Sequence, residues 1–313
     1  MKKLFILIGC LTSLTVFGQQ LGLRSTYMFN EAAYNPAAVG SKKYIPIYMS
    51  HRAQWVGFTG APVSQVVTAH GDIGSGLGFG GSLYNESTGP SRTSGLSLML
   101  SYRLRLTQNN KHGLRFGLGA SFNQHVVDVS RLTTEQQNDQ AIEKTYNNQF
   151  VPDADLGVFY TYEDKAFLGV SVKNVAQVKR SLFLYEDVLS NPLNRHYYAA
   201  GGYNFKLSET WKLKTTAIGR FIEAKTMQFE ANVIADYNNR FFIGGGYRHK
   251  ESVGGIIGMT ISVVQFGYVY DFGISDIRQY GASSHEVFVQ LQLQRKQGSQ
   301  TSTSWKKRNR IYK

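Results

Sequence analysis

The sequence predicts an all-β protein, a transmembrane antiparallel β-barrel of about 14 strands with a short N-terminal hatch-like segment. Three observations predict it. Apolar and polar residues alternate with a period of two over many short stretches, which puts them on opposite faces of extended strands. The 313 residues include 32 glycines, 19 tyrosines and 19 phenylalanines but only 6 prolines. The mean hydropathy is −0.25, as suits strands with one greasy and one polar face. After the first apolar run, nothing approaches the roughly 18 to 20 continuous apolar residues of a transmembrane helix.

In chain order, residues 1–18 read as a secretory signal peptide: Lys2 and Lys3, an apolar run from Leu4 to Phe17, then a small residue before two glutamines. Cleavage near Gly18 leaves Gln19 or Gln20 first. Cys10 is the only cysteine. Leu7-Ile8-Gly9-Cys10 only loosely resembles a lipobox, because the apolar run continues past it, and excision leaves a chain without thiols. Residues 19–43 form the hatch-like segment. Leu21, Leu23, Tyr27, Met28, Phe29 and Tyr34 need burial but show no strand period, and Asn35-Pro36 enforces a turn. The segment from about Gln20 to Ser41 is therefore expected to fold against or into the periplasmic mouth.

The barrel is expected over residues 44–294. Leu96, Leu98, Leu100, Tyr102, Leu104 and Leu106 oppose Ser97, Ser101, Arg103 and Arg105; Leu114, Phe116, Leu118, Ala120 and Phe122 oppose Arg115, Ser121 and Asn123. Further strands are predicted near residues 44–54, 63–71, 76–84, 154–162, 166–174, 196–207, 211–221, 227–237, 241–248, 252–261, 264–272 and 284–294. A soluble sandwich alternates in the same way. The polar face argues for membrane: Arg115, Lys173, Lys214, Arg220 and Arg248 share it with Asp155, Glu230, Asp236, Asp271 and Glu286, which suits a wet or ion-paired lumen. Connections alternate between tight turns, expected in the periplasm, and longer outward segments, among them 85–93, 125–153, 175–195 and 273–283.

The formal net charge of +13 raises the question of nucleic acid. The basic residues are scattered, however, except for Lys306, Lys307, Arg308, Arg310 and Lys313, so no nucleic acid is expected. Residues 295–313 read as a basic C-terminal tail.

Several stretches carry a specific resemblance: YMFNEAAYNPAAVGS, HRAQWVGFTGAP, PDADLGVFY with FLGVSVKN, RHYYAAGGYNF, NNRFFIGGGYR and YDFGISDIRQYGASSHEVFV. The sequence resembles the PorP/SprF family of outer-membrane proteins linked to type IX secretion and gliding in Bacteroidetes. Its motif residues here are Tyr34, Asn35, Pro36, Gly40, His51, Arg52, Trp55, Gly57, Phe58, Gly60 and Pro62. The resemblance implies a non-enzymatic barrel of the outer membrane that helps exported surface proteins or adhesins reach or stay on the cell surface. Its expected partners are outer-membrane lipid, such an exported protein, and periplasmic type IX secretion components. It implies no catalytic residue, cofactor or metal.

The residues themselves leave alternatives. An outer-membrane channel for small hydrophobic compounds, resembling the FadL type, also carries an Asn-Pro-Ala element in a hatch, like Asn35-Pro36-Ala37. An enzyme finds little support: none of the histidines stands at HExxH spacing, and Ser284 and His285 are neighbours that a strand points to opposite faces. His51 and Arg52 can bind a partner or cap carbonyls at the barrel end. Trp55 and Phe58 suit a girdle or loop packing. Partner recognition is expected in the outward connections, with Phe183, Leu184 and Tyr185 as an apolar anchor beside Lys179 and Arg180.

Overall fold

In a computed structural model, which describes residues 24–107, 109, 111–128, 130, 149–180, 191–223, 226–279, 281 and 283–294, fourteen antiparallel strands close into a barrel. In chain order these are β1 (Tyr44–Val56), β2 (Val63–Gly74), β3 (Leu77–Thr88), β4 (Ser91–Arg105), β5 (His112–Val127), β6 (Gln149–Tyr162) and β7 (Ala166–Lys173). A two-residue ladder of β8 (Lys179–Arg180) with β9 (Asn191–Pro192) stands apart from the barrel sheet. The wall resumes with β10 (His196–Lys206), β11 (Trp211–Ile222), β12 (Thr226–Tyr237), β13 (Phe241–Arg248), β14 (Ser252–Ile261), β15 (Val264–Gly273) and β16 (Ser283–Gln294). β16 pairs with β1, so no sheet edge is left open. The signal peptide, the anchor Phe183, Leu184 and Tyr185, and the basic tail lie outside the described residues.

The outer face is apolar. Leu98, Leu100, Phe116, Leu118, Leu168, Val170, Val233, Ile243 and Ile257 are all exposed. In water so continuous a belt would drive association, whereas hydrocarbon accepts it. Aromatic side chains mark its ends. Tyr203, Phe205, Trp211, Tyr237 and Phe241 flank the tight turns, with the Trp211 and Tyr237 rings 5.0 Å apart. Tyr197 and Phe221 pair near the opposite end at 6.0 Å. Such paired girdles are where amphipathic rings meet the membrane–water boundary. No helix among the described residues is long and apolar enough to cross a membrane.

Two connections differ from the sequence reading. Residues 85–93 were expected as a loop, but β3 runs to Thr88 and β4 starts at Ser91. The polar side chains there bond to one another across the sheet: Asn85 donates to Gln65 Oε1 at 2.6 Å and accepts from Arg92 Nε at 2.7 Å. Only Gly89-Pro90 turns, with Gly89 at φ +56°. Likewise the expected loop 125–153 is partly strand, since β5 reaches Val127, β6 begins at Gln149 and Phe122 stacks on Phe150 at 5.9 Å.

The lumen is ion-paired, as the sequence suggests, and it is also packed with apolar side chains. Tyr48, Ile234, Phe242, Ile256, Val269 and Phe288 face inward and form one buried cluster with Met28 and Phe29 of the N-terminal segment. These apolar residues occupy the otherwise polar face of their strands, where a hatch supplies the partner that water cannot.

Candidate functional site: the plugged lumen

The segment before β1 has no strand period because it folds as three single 3₁₀ turns, Tyr27–Phe29, Glu31–Ala33 and Pro36–Ala38. Asn35 starts the last of them. Its Oδ1 accepts from Ala37 N at 2.9 Å, and Pro36 occupies the first position, where its missing N–H costs nothing. The sequence places this segment at the mouth; in the structure it runs deeper, along the lumen from the long-connection half to the tight-turn end.

Its contacts reach wall strands around the circumference. Tyr27 and Tyr34 pack with Ala200 and Ile218 of β10 and β11, Ala32 and Val39 with Met99 of β4, and Ala37 and Ala38 with Phe159 of β6. Hydrogen bonds add Thr68 of β2, which accepts from Asn30 Nδ2 at 3.0 Å, and Ser171 of β7, which donates to Tyr34 O at 2.5 Å. A bound side-chain amide and two glycines set the closest approach. Asn35 Nδ2 donates to Val158 O at 3.0 Å and Val170 O at 3.2 Å, two carbonyls of paired residues on β6 and β7. A Cβ on Gly157 would stand 2.1 Å from Asn35 Oδ1, and one on Gly117 would stand 2.2 Å from Ala37 N. The Asn-Pro-Ala element fits because the wall beneath it lacks side chains.

The tight-turn end is sealed by polar contacts. Gly40, at φ +70°, lies so close to β3 that an added Cβ would be 2.8 Å from Gly78 Cα, and its carbonyl accepts from Arg115 Nη2 at 2.6 Å. Lys42 Nζ is 2.5 Å from the Glu31 carboxylate. Burial works against the Lys42 ammonium, yet the attraction of Glu31 prevails and holds its pKa above the ordinary lysine value. Beyond this seal a cleft of about 1240 Å³ opens among the tight turns, bordered by Lys43, Lys111, Lys165 and Asp164.

At the other end, the segment enters a buried charge network. Ser25 Oγ donates to Asp271 Oδ2 at 2.5 Å and accepts from Arg248 Nη2 at 2.8 Å, so one hydroxyl links β15 to β13. Asp271 also pairs with Arg52 at 3.2 Å, and Arg248 with Glu230 at 2.7 Å and Glu251 at 2.9 Å. Thr26 Oγ1 accepts from Tyr48 OH and donates to Glu286 Oε1, both at 2.6 Å. Charges so deeply buried persist only when paired; the wall residues pair directly, and Ser25 and Thr26 of the plug add hydrogen bonds to them.

Several sequence candidates therefore have different roles from those expected. His51 and Arg52 do not act as one polar pair. They point to opposite faces, as neighbours on a strand must: Arg52 goes inward to Asp271, while exposed His51 meets Gln65 Nε2 at 3.3 Å. Arg52 is thus ion-paired inside the lumen. Trp55, at φ +45°, forms the bulge where the β1–β16 register shifts, and its N–H reaches Ser284 Oγ at 3.2 Å. Gly57 and Gly60 take positive φ in the turn to β2, which ends at Pro62, and Phe58 is exposed there. Ser284 and His285 face apart, His285 bonding Tyr268 OH at 2.7 Å. Glu230 and Arg248 stand opposite each other in the β12–β13 hairpin, whereas the link from Arg248 through Ser25 to Asp271 joins residues that no local pattern connects.

Fold and lumen define a class: an outer-membrane β-barrel whose N-terminal segment plugs it. Within that class the chain belongs to the PorP/SprF family, type IX secretion system membrane proteins, whose family model matches residues 16–291. No curated protein matches it in sequence. Among solved structures it is similar to the Acinetobacter baumannii outer membrane protein Omp33, at 10% identity and TM-score 0.47, covering 81% of this chain and 100% of that one. The Pseudomonas putida toluene transporter TodX matches at 11% identity and TM-score 0.48, covering 85% and 95%. A Pseudomonas aeruginosa FadL homologue matches at 11% and 0.46, covering 83% and 92%.

Proposed function

We propose that this chain is a non-enzymatic barrel that supports secretion or surface attachment of proteins exported by the type IX machinery, and that it does so with its lumen closed. The observation that carries the reading is the plug: the segment ahead of β1 bonds and packs to strands around the wall, from Thr68 to Asp271. A barrel so filled offers its rims, rather than its bore, to other proteins. Family membership supplies the machinery; the particular exported protein is identified by experiment.

Removing the chain from its own bacterium and cataloguing surface proteins before and after complementation tests this. The expected result is loss of one or a few exported proteins from the surface, restored by the intact chain. An unchanged surface, together with impaired uptake of small apolar compounds, would overturn the proposal in favour of the transport channel.

A further inference from the structure

The cleft of about 1240 Å³ beyond the plug lies at the tight-turn end, which outer-membrane barrels keep in the periplasm. It is larger than the roughly 300–1000 Å³ of a small-molecule pocket, so it suits a length of polypeptide better than a solute or a single ion. Its lining carries six cations, Lys42, Lys43, Arg103, Lys111, Arg115 and Lys165, against three carboxylates, Asp72, Glu163 and Asp164. With Glu31, which holds Lys42 from the plug, the cations still lead by two. The turns outside the cleft lean the same way, with Arg105, Lys206, Lys212, Lys214 and Arg240 against Glu209 and Asp236 among the described residues. A concave site with an excess of one sign focuses its field outward and draws the opposite charge.

The pairs already made leave room for further carboxylates. Lys111 and Lys165 share one, Glu163, at 3.4 and 2.7 Å, and Lys43 meets Asp164 at 2.5 Å with both side chains more than 70% exposed. Exposed pairs of this kind are weak and exchange for new partners. The cations face the bore rather than the bilayer. Lys111 has the strand phase of Arg115 and Arg103 that of Ser101, and both of those bond inward to the plug. Lipid headgroups are therefore poorly placed to reach them. A second copy of the chain would bring the same positive face. The chain's own continuation leaves β16 at Gln294, a residue of this cleft, yet residues 295–313 carry seven basic side chains and no acidic one. We propose that the cleft docks an acidic segment of a periplasmic protein, by charge complementarity. That this protein belongs to the export machinery rests on the reading above; the acidity of its segment rests on the cleft alone.

Fluorescence anisotropy of the full chain in phosphatidylcholine nanodiscs tests it, with a labelled glutamate–glycine repeat peptide and its glutamine–glycine counterpart as probes. The glutamate peptide should bind about tenfold more tightly, the effect of a few weak charge contacts acting together. Joint replacement Lys43→Gln, Lys111→Gln and Lys165→Gln should remove that advantage. Lys206→Gln, Lys212→Gln and Arg240→Gln, an equal loss of charge elsewhere on the rim, should weaken the peptide markedly less. Heat-dependent gel mobility confirms that each variant is folded. Equal affinity for the two peptides, equal losses in the two variants, or full displacement by inorganic phosphate at the peptide's own concentration would overturn the inference. So would native mass spectrometry in which the wild type retains phosphatidylglycerol that the first variant loses, without peptide binding; the cleft would then belong to lipid headgroups. The surface catalogue tests the export reading separately, so either can fail alone.

Discussion

Arg248→Met should destabilise the folded barrel by about 3–5 kcal/mol, the usual cost of removing one partner from a buried ion pair. The guanidinium and the Glu230 carboxylate are each only 3% exposed, and methionine leaves the carboxylate in place without its counter-charge. Asn232 Nδ2, at 3.0 Å from Glu230 Oε1, cannot replace a full positive charge. The loss extends further, because Arg248 also holds Ser25, and with it the far end of the plug. Denaturant unfolding of the barrel reinserted in lipid measures the effect. The double replacement Arg248→Met with Glu230→Leu should recover much of the loss, since an apolar pair avoids the stranded charge. A single variant as stable as the wild type would show that the network does not hold the lumen together.

Gly157→Val should displace the Asn-Pro-Ala turn while leaving the wall able to close. The new side chain would overlap Asn35 Oδ1, so Asn35 must leave the carbonyls of Val158 and Val170 and release the 3₁₀ turn it starts. Overpacking together with the lost buried hydrogen bonds costs about 2–5 kcal/mol. That penalty falls on the docking of the plug, because valine is well suited to the strand itself. Limited proteolysis should cut the variant between residues 24 and 43 under conditions that leave the wild type whole. Equal resistance would mean that the plug is held elsewhere.

How far these features were legible follows from the physics of each. The strands were legible because lipid imposes one rule on every outward position; Leu98, Leu100, Phe116 and Leu118 obey it without exception. Their outer ends were not, since Asn85 is satisfied by Gln65, Arg92 and Ser94 of the neighbouring strands, and so polar a stretch looks like a loop. The packed lumen was hidden for a related reason. Ile234, Phe242, Ile256 and Phe288 interrupt the polar face singly, and only the chain threaded past them turns isolated residues into a core. Pairings such as Arg52 with Asp271 or Ser25 with Arg248 join residues more than 200 positions apart, brought together by barrel closure and by the threading of the plug. The depth of the plug follows from those pairings, so it could not be read before them.

Ion conductance measures directly whether the plug closes the lumen. Full-length wild-type protein inserted in a planar lipid bilayer should show no steady pore current, while Gly157→Val should show openings as the plug leaves its seat. A steady current through the wild type, of the size an unobstructed barrel of this strand number carries, would show that the lumen is open.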